Sequence, residues 1–265
     1  MSTRLSPEAY LDHLRTEGAR LSSVARTADL DAPVPTCPGW VLRDLVSHCA
    51  EVYAHKRLVL QLGRAASADE RAAARPGDGT AGRSDDALLD HHDAELAGLF
   101  TDLERMGPDA QTWTWFPGET STGFWFRRVA QEALVHRVDG ELAAGLDVGP
   151  LDAVLATDGV DEVLTWFAGH PGVLAHSASR DGAAGEVMVH AVDHAFVVEL
   201  PDDGHFVREV DPLDTHLVVD ASLRGAPGDL DLHLWGRPSH EAVAEAGDPK
   251  VLERLFSRLH LAVSD

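Results

Sequence analysis

The stretch 125–145, WFRRVAQEALVHRVDGELAAG, holds two residues that are able to do chemistry together, Glu132 and His136. They are one helical turn apart, so in a helix a carboxylate and an imidazole converge on one point. At roughly 100° per residue, Trp125, Val129, Glu132, His136 and Ala143 fall within about one 60° sector, the side expected to face the core. Two ionisable groups on a burying face are costly unless something compensates them, and a metal ion would compensate both at once. A catalytic metal also needs a third protein ligand from another element and one open position, and histidine with carboxylate is a common zinc set. Residues 41–62 offer His48 and His55 on one flank of an apolar face made by Leu42, Leu45, Val46, Cys49 and Tyr53. His48 lies one turn from Leu45 and deeper in the segment, which favours it, while His91 and His92 compete from a third segment. The competing interpretation is coincidence, since a Glu and a His at this spacing occur on many helices. Cys49 beside His48 suggests a thiol–imidazole pair, but adjacent helical residues point about 100° apart, and a buried cysteine is commonly a small core residue. Cys37, in the loop ahead of this segment, is expected to pack there.

The elements that must position these groups are legible in outline. Ser6-Pro7-Glu8 reads as a helix start, with serine as N-cap and proline in the first turn, and an amphipathic segment follows to about Thr27. The proline-rich loop DAPVPTCPGW (31–40) cannot stay helical, and a second helix is expected from Val41 to about Leu62. Residues 64–84 read as a mobile surface loop. Ser84 then caps a third helix that ends near Gly107-Pro108, and after the aromatic loop TWTWFPGETSTGFW the Glu132 segment makes a fourth, ended by Gly145. Trp113, Trp115 and Trp125 are candidates to wall a cleft. From Leu151 a further helix is expected to about Phe167. Alternating strands follow in GEVMVHAVDHAFVVELPDDGHFVREV, with a hairpin turn at Asp202-Asp203-Gly204, and again in THLVVDASLRGAPGDLDLHLWGR (215–237). A last helix runs from about Asp248 to His260. The expected fold is therefore a four-helix bundle over 1–148 followed by a smaller α+β domain with a mainly antiparallel sheet over 149–265.

Composition narrows the partners. The 22 basic residues face 44 acidic ones, a net charge of −22, and that field repels nucleic acid and anionic membrane surfaces. The two cysteines form no CxxC pair, the N-terminus lacks the apolar core of a signal peptide, and no run of about 18 apolar residues occurs, so a cytoplasmic protein is expected. No GxGxxG or GxxxxGK[ST] element points to nucleotides.

VPTCPGWVLRDLVSHCAEVYAHK (34–56), followed about eighty residues later by QEALVHRVDGELAAG (131–145), resembles the N-terminal domain of the mycothiol-dependent maleylpyruvate isomerase family, among the DinB-like metal-binding bundles. VVDASLRGAPGDLDLHLWGR (218–237) resembles that family's C-terminal domain, akin to sterol-carrier folds. The resemblance implies a divalent metal, usually zinc, held by His48, Glu132 and His136. It also implies mycothiol as thiolate nucleophile, either for cis–trans isomerisation of a maleylpyruvate-like 2-oxo-enedioate or for S-transfer to an electrophile. In the first case the thiolate adds to the double bond, the new single bond rotates, and elimination expels the thiol. The resemblance further implicates an arginine of the C-terminal domain in holding a small acidic substrate, matched here by Arg237 by preference and Arg224 second, and the guanidinium fork suits carboxylate because it binds it in a bidentate way. Asp139, three residues after His136, is placed to orient that histidine. Two other readings keep the same residues: a thiol-independent zinc hydrolase, and a non-catalytic protein that binds a metal or a small ligand.

Overall fold

Ser6 caps α1 (Pro7–Ala25), its hydroxyl accepting from the Ala9 N–H. The loop that follows folds back as a narrow hairpin, with Pro33 and Val41 bridged and Gly39 at φ +87°, and delivers the chain into α2 (Leu42–Leu62). Asp44 accepts from the Val41 N–H at the start of α2, and Gly63 ends it in the left-handed conformation. The computed structural model describes residues 3–74, 83–214 and 217–263. The segment 64–84, read above as a loop, contains a short helix, α3 (Ala68–Ala74). Ser67 and Glu70 exchange hydrogen bonds at its start, acidic residues fill its first turn, and its alanines are strong helix formers, which together outweigh the lack of periodicity. Residues 75–82 of that segment lie outside the described residues. Ser84 caps α4 (Asp85–Met106), and α5 (Thr122–Ala143) follows the aromatic loop.

These helices form one unit, Leu5–Pro150, in which α1 packs on α5 and α4, and α2 on α4 and α5. At Gly140 a side chain would meet Leu21 at 2.4 Å, so this glycine is what lets α1 and α5 approach so closely. From Phe124 to Glu141 every residue of α5 is buried except Glu132. In the sector expected to face the core, Trp125, Val129 and His136 are buried, and Glu132 is the position of 124–141 that solvent partly reaches. A helix enclosed by its neighbours has no single apolar face, and its polar residues are paired inside: Arg137, fully buried, holds Glu17 and Glu141 at 2.7 and 2.8 Å.

The second unit comprises Leu151–Asp265 with Met1–Arg4. Asp152 caps α6 (Ala153–Glu162), which runs on into a π-helical turn (Val163–Phe167), followed by α7 (Pro171–Ala175) and a 3-10 turn (Ser177–Arg180). The strands are β1 (Gly185–Ala191), β2 (His194–Leu200), β3 (Phe206–Val210), β4 (Ala221–Gly225) and β5 (Ala244–Gly247), in the order β3-β2-β1-β4-β5. Only the β1–β4 pair is parallel, so the sheet is mainly antiparallel. Helix α9 (Pro249–Val263) packs on β1, β4 and β2. The expected strands over 215–237 are corrected: β4 ends at Gly225, and α8 (Pro227–Leu234) takes the alternating DLDLHL. Pro227 suits a first helical turn, and Leu230, Leu232, Leu234 and Asp231 are all buried, so the period-2 pattern records a helix covered on several sides.

Candidate metal centre

Three side chains from two helices converge. His48 of α2 and His136 of α5 both turn Nε2 towards the same oxygen, Oε1 of Glu132, at 3.4 and 3.2 Å. One ligand atom from each residue lies within 4.8 Å of the other two. The imidazole rings stand edge-to-face with centroids 5.0 Å apart. Zinc bonds of about 2.0–2.1 Å to tetrahedral ligands set ligand atoms roughly 3.3 Å apart, close to both measured separations. The donor set therefore fits one divalent ion with room for a further ligand. The site is reachable: the side chains of His48, Glu132 and His136 are 35%, 20% and 11% exposed.

Neighbouring groups aim each donor. Arg128, one turn before Glu132, donates to Oε2 at 2.9 Å, which leaves Oε1 to face the histidines. His136 Nδ1 lies 2.9 Å from Asp139 Oδ2, so the Nδ1 proton is held there and Nε2 is the nitrogen aimed at the convergence point. Asp139 is itself fixed by the hairpin loop before α2: Thr36 Oγ1 donates to Oδ1 at 2.5 Å, and Cys37 Sγ lies 3.8 Å from Oδ2. The same loop sets the Trp40 ring 5.0 Å from that of His48. Burial by itself would push the Glu132 carboxyl up, yet His136, His48 and Arg128 outweigh it and hold it well below the usual carboxylate range. Burial likewise opposes the His136 imidazolium, and Glu132 with Asp139 raises it to about 9. The pair is thus an anion and a cation in contact at the partly open Glu132 position of a buried helix.

Residues 11–140 match the family described as mycothiol maleylpyruvate isomerase N-terminal domain. The match lies wholly within the N-terminal unit. Among solved structures the chain is similar to a mycothiol-dependent maleylpyruvate isomerase, with TM-score 0.63, 14% identity, and coverage of 91% of this chain and 93% of the other. A histidine-to-alanine mutant of that isomerase matches with TM-score 0.62, the same identity and the same coverage. At this identity the likeness is one of fold. A comparison with curated protein sequences gives no match.

The remaining candidate residues fall elsewhere. His92 is buried against Tyr53 and Asp93, and His91 faces Glu95, so neither joins the three ligands. His55 lies beside Lys56. Cys49 is wholly buried, and burial, with Glu132 and Asp139 nearby, pushes its thiol well up, which is the setting of a core residue. Trp125 is buried with its Nε1–H on the Trp113 carbonyl, and Trp115 packs on Phe124. Both candidate arginines belong to the C-terminal unit: Arg237 donates to the Trp235 carbonyl at 2.7 Å, and Arg224 stands exposed on β4. The sequence reading passed over Thr36, Trp40 and Arg128. The signals were present, a Thr-Cys-Pro-Gly-Trp loop just ahead of the His48 helix and an arginine one turn before Glu132, but their targets lie far away in sequence or depend on which way Glu132 turns.

Proposed function

We propose that the protein is a metal-dependent enzyme of mycothiol chemistry, in which His48, Glu132 and His136 hold a divalent ion, zinc by donor type, for reaction of the thiol with a small acidic or electrophilic substrate. The observation that carries the reading is the convergence of two imidazole nitrogens on one carboxylate oxygen at a reachable point, with a histidine–aspartate pair behind it. A divalent ion bound by these residues lowers the pKa of a coordinated thiol, which supplies a thiolate without a protein cysteine. The chain's own part is to orient and to exclude. Asp139 fixes the His136 ring, Arg128 turns Glu132, the Thr36–Trp40 loop braces Asp139 and His48, and buried Cys49 stays out of the reaction. Maleylpyruvate isomerisation or S-transfer to an electrophile both suit this arrangement, and the match of residues 11–140 to the N-terminal domain family supports them.

The test begins with elemental mass spectrometry of untagged protein. About one zinc per chain, lost in Glu132→Ala with the helical circular-dichroism signal retained, is the expected result. Maleylpyruvate turnover with and without mycothiol then decides the chemistry. Wild type that stays folded and takes up no zinc overturns the metal reading, and thiol-independent turnover overturns the mycothiol reading.

A further inference from the structure

Two turns beyond His48 on α2 stands Lys56, one of only two lysines in the chain. Helical side chains lean towards the helix N-terminus, so a long side chain at this position reaches back in the direction of His48. Its Nζ lies 4.9 Å from the centre of the Trp125 indole, on the same side of α5 as Arg128, Glu132 and His136. Trp125 is fully buried and held by its bond to Trp113, so the ring face beneath the ammonium is fixed. The polar neighbour of Nζ is Nδ1 of His55 at 3.3 Å. Burial, with Lys56 and Arg71 beside it, takes that imidazole down to about 4, so it is neutral and accepts.

Lys56 forms no ion pair among the described residues, unlike several buried or half-buried arginines. Arg137 holds Glu17 and Glu141, Arg57 holds Glu95 and Asp102, and Arg254 holds Asp202. Glu132 attracts Lys56 electrostatically, but its two oxygens are engaged by the histidines and by Arg128. Burial outweighs that attraction and, with Arg128 and Arg71 adding to it, brings the ammonium down to about 8. A largely desolvated cation whose neighbours are a ring face and a neutral imidazole gains most from an incoming anion.

We infer that Lys56 is the substrate-anion anchor of the His48–Glu132–His136 site: it binds a carboxylate of a small dicarboxylate ligand over the Trp125 ring, and so selects acidic ligands over neutral ones of the same shape. The inference rests on the proposed metal site and adds to it a specificity residue within the same unit.

Full-length protein labelled with ¹³C-lysine gives two ε-carbon signals, Lys56 and the exposed Lys250, and Lys250 serves as the internal reference. Zinc-supplemented protein is titrated with maleate and, separately, with its neutral diamide, and metal content is measured on the same samples. Maleate is expected to move the Lys56 signal saturably and leave Lys250 in place, while the diamide moves neither. Lys56→Gln is expected to weaken maleate binding about tenfold or more at unchanged zinc content, and Lys56→Arg to retain it. A Lys56 signal that ignores maleate, or moves no more than Lys250, overturns the inference, as does wild-type affinity in a folded Lys56→Gln protein. Bound zinc with a silent Lys56 defeats the anchor alone. A responsive Lys56 in protein that takes up no zinc defeats the metal reading and leaves the anion site standing.

Discussion

Each unit buries a cluster of histidine and charged side chains, and the two clusters differ in how their hydrogen bonds close. In the C-terminal unit Arg258 donates to the carbonyls of Ser179, Gly204 and Pro201, and its Nη1 also reaches Nδ1 of His205 at 3.2 Å. His205 Nε2 donates to the Leu164 carbonyl at 2.7 Å, inside the π-helical turn, so the ring is neutral with its one proton on Nε2. Backbone oxygens saturate this cluster, and its work is to tie α9 to the loops and to the π-turn. In the N-terminal unit two imidazole nitrogens crowd one carboxylate oxygen on a side of α5 that solvent reaches. Buried charge alone therefore does not mark a functional site. Convergence of ligand atoms on a reachable point does.

The sharpest way to break this comparison is Arg258→Met. It leaves three carbonyls without their donor and is expected to destabilise the C-terminal unit by about 3–5 kcal/mol in denaturant titrations, with metal content unchanged. Equal loss of metal would remove the distinction between the clusters. Next is acid. Burial, with Arg258 adding to it, lowers His205 from 6.5 to about 4, so between those values the unfolded chain binds a proton that the folded chain refuses. Its contribution is fully present above about pH 6.5 and falls by about 3 kcal/mol as pH drops towards 4. His205→Gln is expected to flatten that part of the stability–pH curve, and an unchanged slope would show that other groups carry it. Asp139→Asn approaches from the other cluster: metal affinity is expected to fall about 10–100-fold in a chelator competition, with the melting temperature nearly held. The smallest effect is that of Trp40→Leu, which loosens the His48 ring and is expected to weaken metal binding by less than about tenfold.

Much of the N-terminal unit was legible because its signals are local. Ser6 with Pro7, Ser84, Gly63 and the glycines near 107 and 145 mark helix ends through the chemistry of their own backbone. Glu132 and His136 were paired by spacing, and His48 was preferred by depth and by the family resemblance. The burial of the other sides of α5 was not legible, because a helix buried on nearly all sides carries polar residues whose partners, such as Glu17 for Arg137, sit on other helices. The α8 segment was misjudged because alternation of Leu with Asp and His fits a strand until both faces prove to be covered.

The sequence by itself determined the approximate limits of the four long N-terminal helices, the acidic character, the ligand types and their spacing along each helix, all of which depend on neighbours a few residues apart. Only the tertiary structure decided that Glu132 is the partly open position within 124–141, that Thr36 and Trp40 of one loop brace Asp139 and His48, and that Lys56 rests on Trp125 with no carboxylate partner among the described residues. The physical reason is distance along the chain. Solvent access and charge pairing are sums over contacts that bring together residues a hundred positions apart, and no local pattern encodes which of them meet.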